Sequence, residues 1–130
     1  MKAPDSEKLT LNLGFVDLGR IDLLVRDGFY SNRSDFIRTA IRNQLSTHAD
    51  VAAKATTRLA LELGLRTFTR QDLEAVVAAG ERLEIRVLGL AIIENDVSPE
   101  LARNAIASLT VLGALHAAPQ IKAALADRLT

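Results

Sequence analysis

The chain opens on a short alternation of apolar and polar positions. Leu9, Leu11 and Leu13 are separated by Lys8, Thr10 and Asn12. Side chains of a strand point to opposite faces in turn, so residues 8–13 predict a strand with one leucine face and one polar face. The period then changes. Leu18, Ile21, Leu24 and Val25 recur at helical spacing and predict a helix over residues 17–27, closed by Gly28. Ser31 is the expected N-cap of a second helix, over residues 32–46. Its buried stripe is Phe36, Ile37, Ala40, Ile41 and Leu45, with Arg33, Arg38 and Arg42 on wetter faces.

Residues 47–63 are rich in alanine and leucine. Val51, Ala55, Leu59 and Leu63 fall four apart, which predicts a third helix ending at Gly64. It either continues the second helix or starts afresh near Thr47. Thr69-Arg70-Gln71-Asp72 reads as a capping box opening a helix that stops at Gly80. Leu83, Ile85 and Val87 then alternate with Glu84 and Arg86, a half-buried strand running into the apolar stretch 88–93. Ser98-Pro99 starts a helix whose buried side is Leu101, Ala105 and Ile106. Residues 109–115 read as another strand, and Pro119 opens a last helix through Ile121, Leu125 and Leu129. Val87-Leu88-Gly89-Leu90 and Val111-Leu112-Gly113-Ala114 stand 24 residues apart, each followed by a loop, a proline and a helix. Leu63-Gly64-Leu65 is a weaker third copy, because its glycine reads first as a helix C-cap. Strand–helix units of this period suit a short β/α solenoid. Two or three of them bury little alone, so they are expected to stack on a partner chain, on each other across a dimer, or on the N-terminal unit.

A lone six-residue strand does not hold together in water. No second strand is predicted within the next thirty residues, so the simplest partner is the same strand of a second copy, paired antiparallel. Such a ribbon fits the DNA major groove, about 12 Å wide. Its outward face carries a cation, a hydroxyl and an amide and no acid, groups that hydrogen-bond base edges and phosphates. Three further runs join that hexamer: Ile21-Asp22-x-Leu24-Val25, Gly28-x-Tyr30-Ser31-x-Arg33-Ser34-x-Phe36-Ile37-Arg38 and Ala40-Ile41-Arg42. Together they resemble the ribbon-helix-helix DNA-binding domain of the Arc/MetJ/CopG type. The resemblance covers about residues 7–46 and rests on the order of apolar positions and the glycine turn. It implies an obligate homodimer whose ribbon reads bases with Lys8, Thr10 and Asn12. It also implies that the start of the second helix (Ser31, Asn32, Arg33 and Ser34) grips the DNA backbone, as helix N-termini suit phosphate. Gly14 departs from the pattern, since many relatives have proline there. Residues 47–130 resemble, more loosely, the carboxy-terminal arm of longer CopG-like regulators.

Composition narrows the field. The chain has 130 residues, 48% of them hydrophobic, which suits one ordinary domain or two small ones. With no cysteine, disulfides and thiolate metal sites are excluded. Residues 1–46 hold seven Lys/Arg and six Asp/Glu, a weak basic footprint that predicts a modest salt dependence of DNA binding. No run approaches a membrane helix, and residues 1–6 lack the apolar core of a signal peptide, so a cytoplasmic, nucleoid-associated protein is expected. His48 and His116 have no ligand-spaced companions, Glu94 and Asp96 read as solvated loop acids, and no phosphate-binding glycine loop occurs. No catalytic residue, metal site or cofactor is therefore expected. Phe29 and Tyr30 read as packing against the helix pair in preference to stacking on a base.

The expected fold is α+β, mainly α. Residues 1–46 form a ribbon-helix-helix unit for DNA binding and dimerisation, and residues 47–130 form a helical linker and strand–helix repeat arm. The expected function is that of a sequence-specific DNA-binding transcriptional regulator, a repressor acting on double-stranded DNA as a homodimer. The arm suits higher oligomerisation, a second protein or sensing. Two alternatives stand beside it: an antitoxin that also represses its own operon, and a structural assembly protein whose arm polymerises.

Overall fold

The computed structural model describes residues 6–130; Met1–Asp5, most of the stretch read for a leader, lie outside them. The chain divides into two compact units, Met1–Ala49 and Asp50–Thr130.

The first unit is a helix pair behind an N-terminal segment. Residues 7–14 carry neither helix nor strand, since no ladder partner for them exists among the described residues of the single chain. Gly14 is extended (φ −64°, ψ 153°) and leads into α1 (Phe15–Arg26). That helix ends as its glycine requires. Gly28 takes φ 88°, the Phe29 N–H reaches the Leu24 carbonyl at 3.0 Å, and the Gly28 N–H reaches that of Val25 at 3.1 Å. Helix α2 (Arg33–Thr47) starts one residue later than Ser31 would set it, and the cap is Asn32. The reason lies three residues on. Counting from Asn32 places Asp35 at the third helical position, where it joins both residues of the turn. Asn32 Oδ1 accepts from the Asp35 N–H at 2.8 Å, and Asp35 Oδ2 accepts from the Ser31 N–H at 2.9 Å. Ser31 as cap would place Ser34 there, with no carboxylate to return the bond.

The second unit repeats strand and helix three times. After α3 (Ala49–Arg58) come β1 (Glu62–Phe68), α4 (Arg70–Ala78), β2 (Leu83–Ile93), α5 (Pro99–Ala105), β3 (Ile106–His116) and α6 (Pro119–Ala124). The three strands form one parallel sheet in chain order. The expected helix over 47–63 is corrected here. It is broken at His48, and α3 stops at Arg58 through a turn whose left-handed residue is Ala60 (φ 53°), not a glycine. Gly64 lies in the middle of β1, so the third repeat copy is as real as the other two. Gly64 pairs with Gly89, and Gly89 with Gly113, making a row of glycines across the sheet. All three have positive φ (115°, 141° and 124°). A Cβ on Gly89 would overlap the Gly64 carbonyl oxygen, and one on Gly113 that of Gly89. The repeat is thus a backbone requirement for glycine.

Helices α4, α5 and α6 cover one side of the sheet. Leu73 from α4, Ala102 and Ala105 from α5, and Ile121 from α6 pack with Ile85, Val87, Ala91 and Ile93 of β2 and Leu109 of β3. The caps of α4 and α5 follow the sequence. Thr69 and Asp72 form the full capping box, and Ser98 Oγ accepts from the Leu101 N–H at 3.1 Å with Pro99 in the first turn. Ile106 is the first residue of β3 and does not belong to α5. The last helix is shorter than expected. After Ala124 the chain tightens into a 3-10 turn, Ala126–Arg128, so that Leu129 bridges Leu109 and the Thr130 N–H reaches the Leu109 carbonyl at 3.0 Å.

Candidate nucleic-acid interface

Lys8, Thr10 and Asn12 are all exposed, as a base-reading set must be. Leu9 and Leu11 are exposed as well, at 85% and 61%, while Leu13 is half-buried. The leucine face of this segment therefore has little cover in its own chain. The helices behind it are in the same condition. Among the described residues of the first unit only Ile21 is buried; Phe36 and Ile37 are half-buried, and Phe15, Leu23, Ile41 and Leu45 are more than half exposed or close to it. The stripe expected to be buried along α2 is only partly so in one chain. An apolar surface of this extent on so small a unit marks an interface.

The start of α2 is built by side chains that hold one another. Arg33 donates from Nε to Asp22 Oδ1 and from Nη2 to Asp22 Oδ2, both at 2.8 Å, a two-pronged ion pair from α2 back to α1. The hydrogen bonds from Arg33 hold the Asp22 carboxyl below its ordinary value, and the carboxylate in turn raises the guanidinium. This pair uses two of the five guanidinium N–H groups, so a phosphate has donors left to meet. Sequence reasoning passed over the role of Asp22. Its signal was an acid and an arginine eleven residues apart across a glycine turn. Asn32 is occupied as the cap, and the Ser31 N–H is taken by Asp35. Among the described residues no hydrogen bond takes up the backbone N–H of Arg33 or Ser34. These two groups, with the Ser34 hydroxyl, are what the helix start presents to an anion. Asp35, one position on, opposes an anion there with its own charge. Tyr30 and Phe36 meet in a T-shaped pair, ring centroids 5.0 Å apart at 85°, whereas Phe29 is exposed. Of the two aromatics, only Tyr30 packs as expected.

The chain matches the Ribbon-Helix-Helix transcriptional regulator family over residues 4–122. It belongs to that family. The match extends far beyond residues 7–46, through α3 and the whole sheet, so the arm is part of the family's pattern and not an appendage to it. Searches of curated proteins and of solved structures gave no significant match. Ribbon-helix-helix regulators bind DNA and typically dimerise, which suits the uncovered leucines of the first unit. Among the described residues no helix is long and apolar enough to cross a membrane, and no three potential metal ligands cluster.

Proposed function

We propose that this ribbon-helix-helix protein is a homodimeric, sequence-specific repressor acting in the cytoplasm on double-stranded DNA. Residues 8–13 of two copies pair into an antiparallel ribbon that enters the major groove. Lys8, Thr10 and Asn12 face the base edges, and Leu9, Leu11 and Leu13 face the helices of the dimer. The start of α2 sets the register on phosphate through the N–H groups of Arg33 and Ser34 and the spare donors of Arg33, with Ser31 and Asn32 shaping the turn. The observation that carries this reading is the amphipathic segment itself: three exposed polar groups, none acidic, backed by Leu9 and Leu11, both exposed in the single chain. No step in it is catalytic, and it needs no metal or cofactor.

Two features favour it over the alternatives. The arm has a packed core of its own, unlike a toxin-binding tail that orders only on its partner. The β3 edge is met at Leu109 by Leu129 and Thr130, which interrupts the edge a polymerising solenoid would extend. The test is fluorescence anisotropy with the DNA upstream of the protein's own gene against a scrambled duplex at equal salt. A preference of tenfold or more, about 1.4 kcal/mol, is expected. It should vanish in the Thr10→Ala/Asn12→Ala double variant while the dimer stays folded. Selectivity retained in that variant would refute the ribbon assignment.

A further inference from the structure

The side of the sheet turned away from α4, α5 and α6 has no cover within its unit. Strand register arranges it in three rows: Leu63–Leu88–Leu112, Leu65–Leu90–Ala114 and Thr67–Ile92–His116. Seven of these nine side chains are aliphatic and none is a lysine, arginine or acid. Leu63 is 80% exposed, Leu65 61% and Leu112 47%, while Leu88, Leu90, Ile92 and Ala114 are half-buried. At the start of β2 the patch gives way to polar groups, Glu84 and Arg86, which pair with each other at 3.2 Å. An apolar centre with a polar border is the composition of an interface.

We propose that this sheet face docks on the same face of the other copy in the dimer, sheet on sheet. The inference rests on the dimeric reading above. Its support is the size of the patch. Three strands about 4.8 Å apart and five residues rising about 3.3 Å each give a footprint of roughly 200 Å² per copy. Independent association takes about 800 Å² of accessible surface and roughly 20–30 residues per partner; this patch offers nine residues, five of them already half-buried, so a free protein would gain too little from it alone. A copy already joined through the ribbon is different. There the arm contact is intramolecular, so a surface too small to hold free chains together adds to a contact already made. Identical uncharged rows also meet without repulsion in a two-fold arrangement, in which each copy offers the same patch. Aligned packing of two such sheets interdigitates their side chains at a spacing of about 10 Å. The arm then works as a second clasp on the DNA-binding dimer.

Because the chain has no cysteine, single thiols report cleanly on this face. Full-length Leu65→Cys and, on the exposed end of α4, Ala78→Cys are compared by light-scattering mass and by labelling rate with a small maleimide. The expected result is a dimeric mass, with Leu65→Cys labelled at least tenfold more slowly than Ala78→Cys. Adding Leu63→Glu, at a position exposed enough to leave the arm's own fold intact, should restore fast labelling while the mass stays dimeric. Equal rates in a dimeric protein would overturn the docking and leave the ribbon dimer standing. A monomeric mass would overturn both. A tetramer would move the contact between dimers, and slow labelling that survives Leu63→Glu would assign the cover to the chain itself; either result overturns the proposal.

Discussion

Single residues carry the arm at the glycine row. Gly64, Gly89 and Gly113 share a positive φ but not a neighbourhood. Only Gly89 and Gly113 lie against the carbonyl oxygen of the preceding strand, whereas a Cβ on Gly64, at the sheet edge, meets nothing within 4 Å. Gly89→Ala should therefore cost about 3 kcal/mol or more of arm stability, combining backbone strain and overlap. Gly64→Ala should cost about 1–2 kcal/mol, from strain alone. Urea unfolding of the two variants checks the order. The second residue-scale point is Arg33. If it grips phosphate, Arg33→Ala should weaken binding to all duplexes by about the same factor and lower the salt slope by about 1. Asp22→Asn, which breaks the same ion pair but keeps the cation, should bind at least as well as the native chain. Equal losses in both variants would make the pair a brace between the helices only. Local sequence is ambiguous at such positions. A glycine after an alanine-rich run reads as a helix stop, and Gly64 carries that signal although it lies inside β1. The left-handed residue that ends α3 is instead Ala60, which carries no turn signal.

At the scale of elements, the starts were legible because capping is short-range chemistry. Thr69 with Asp72, and Ser98 with Pro99, need only neighbours three residues away. The same rule, counted one residue differently, moved the cap of α2 from Ser31 to Asn32. Ends were less legible. Helix α6 stops at Ala124 because Leu129 is drawn to the edge of β3, a contact across twenty residues that no local pattern announces. The N-terminal segment is the reverse case. Its alternation is plain in the sequence, yet a strand is defined by its partner, and the described residues of one chain supply none. Leu11→Pro tests this element. Proline removes a ladder N–H and should dissociate or unfold the dimer, as read by sedimentation and circular dichroism. A stable dimer in that variant would place the interface elsewhere.

The molecule as a whole is two units with different debts to their surroundings: the first leaves most of its apolar stripe uncovered, and the second has a closed core and one open face. Three exposed carboxyls, one in the first unit and two in the second, predict a modest loss of stability in acid. Asp22 is held below its ordinary value by hydrogen bonds from Arg33, Asp72 by the Thr69 N–H, and Asp127 by hydrogen bonds from Arg103. Each takes up a proton more readily unfolded than folded, so its stabilisation is complete above about pH 4, the unfolded carboxyl value, and is lost as pH falls through the lower folded value. Thermal midpoints should be level from pH 7 to 5 and fall below 4, and Asp127→Asn should shrink that fall. The sequence by itself determined the apolar periods, the caps of α4 and α5, the twenty-four-residue repeat and the polar face of residues 8–13, because each depends on residues close together along the chain. Only the tertiary structure decided that Gly64 joins a glycine row, that Ile106 starts a strand, that Asp22 holds Arg33, and that one sheet face stays uncovered. Those outcomes depend on which strands and helices meet, and contacts between residues tens of positions apart leave no periodic trace in the chain.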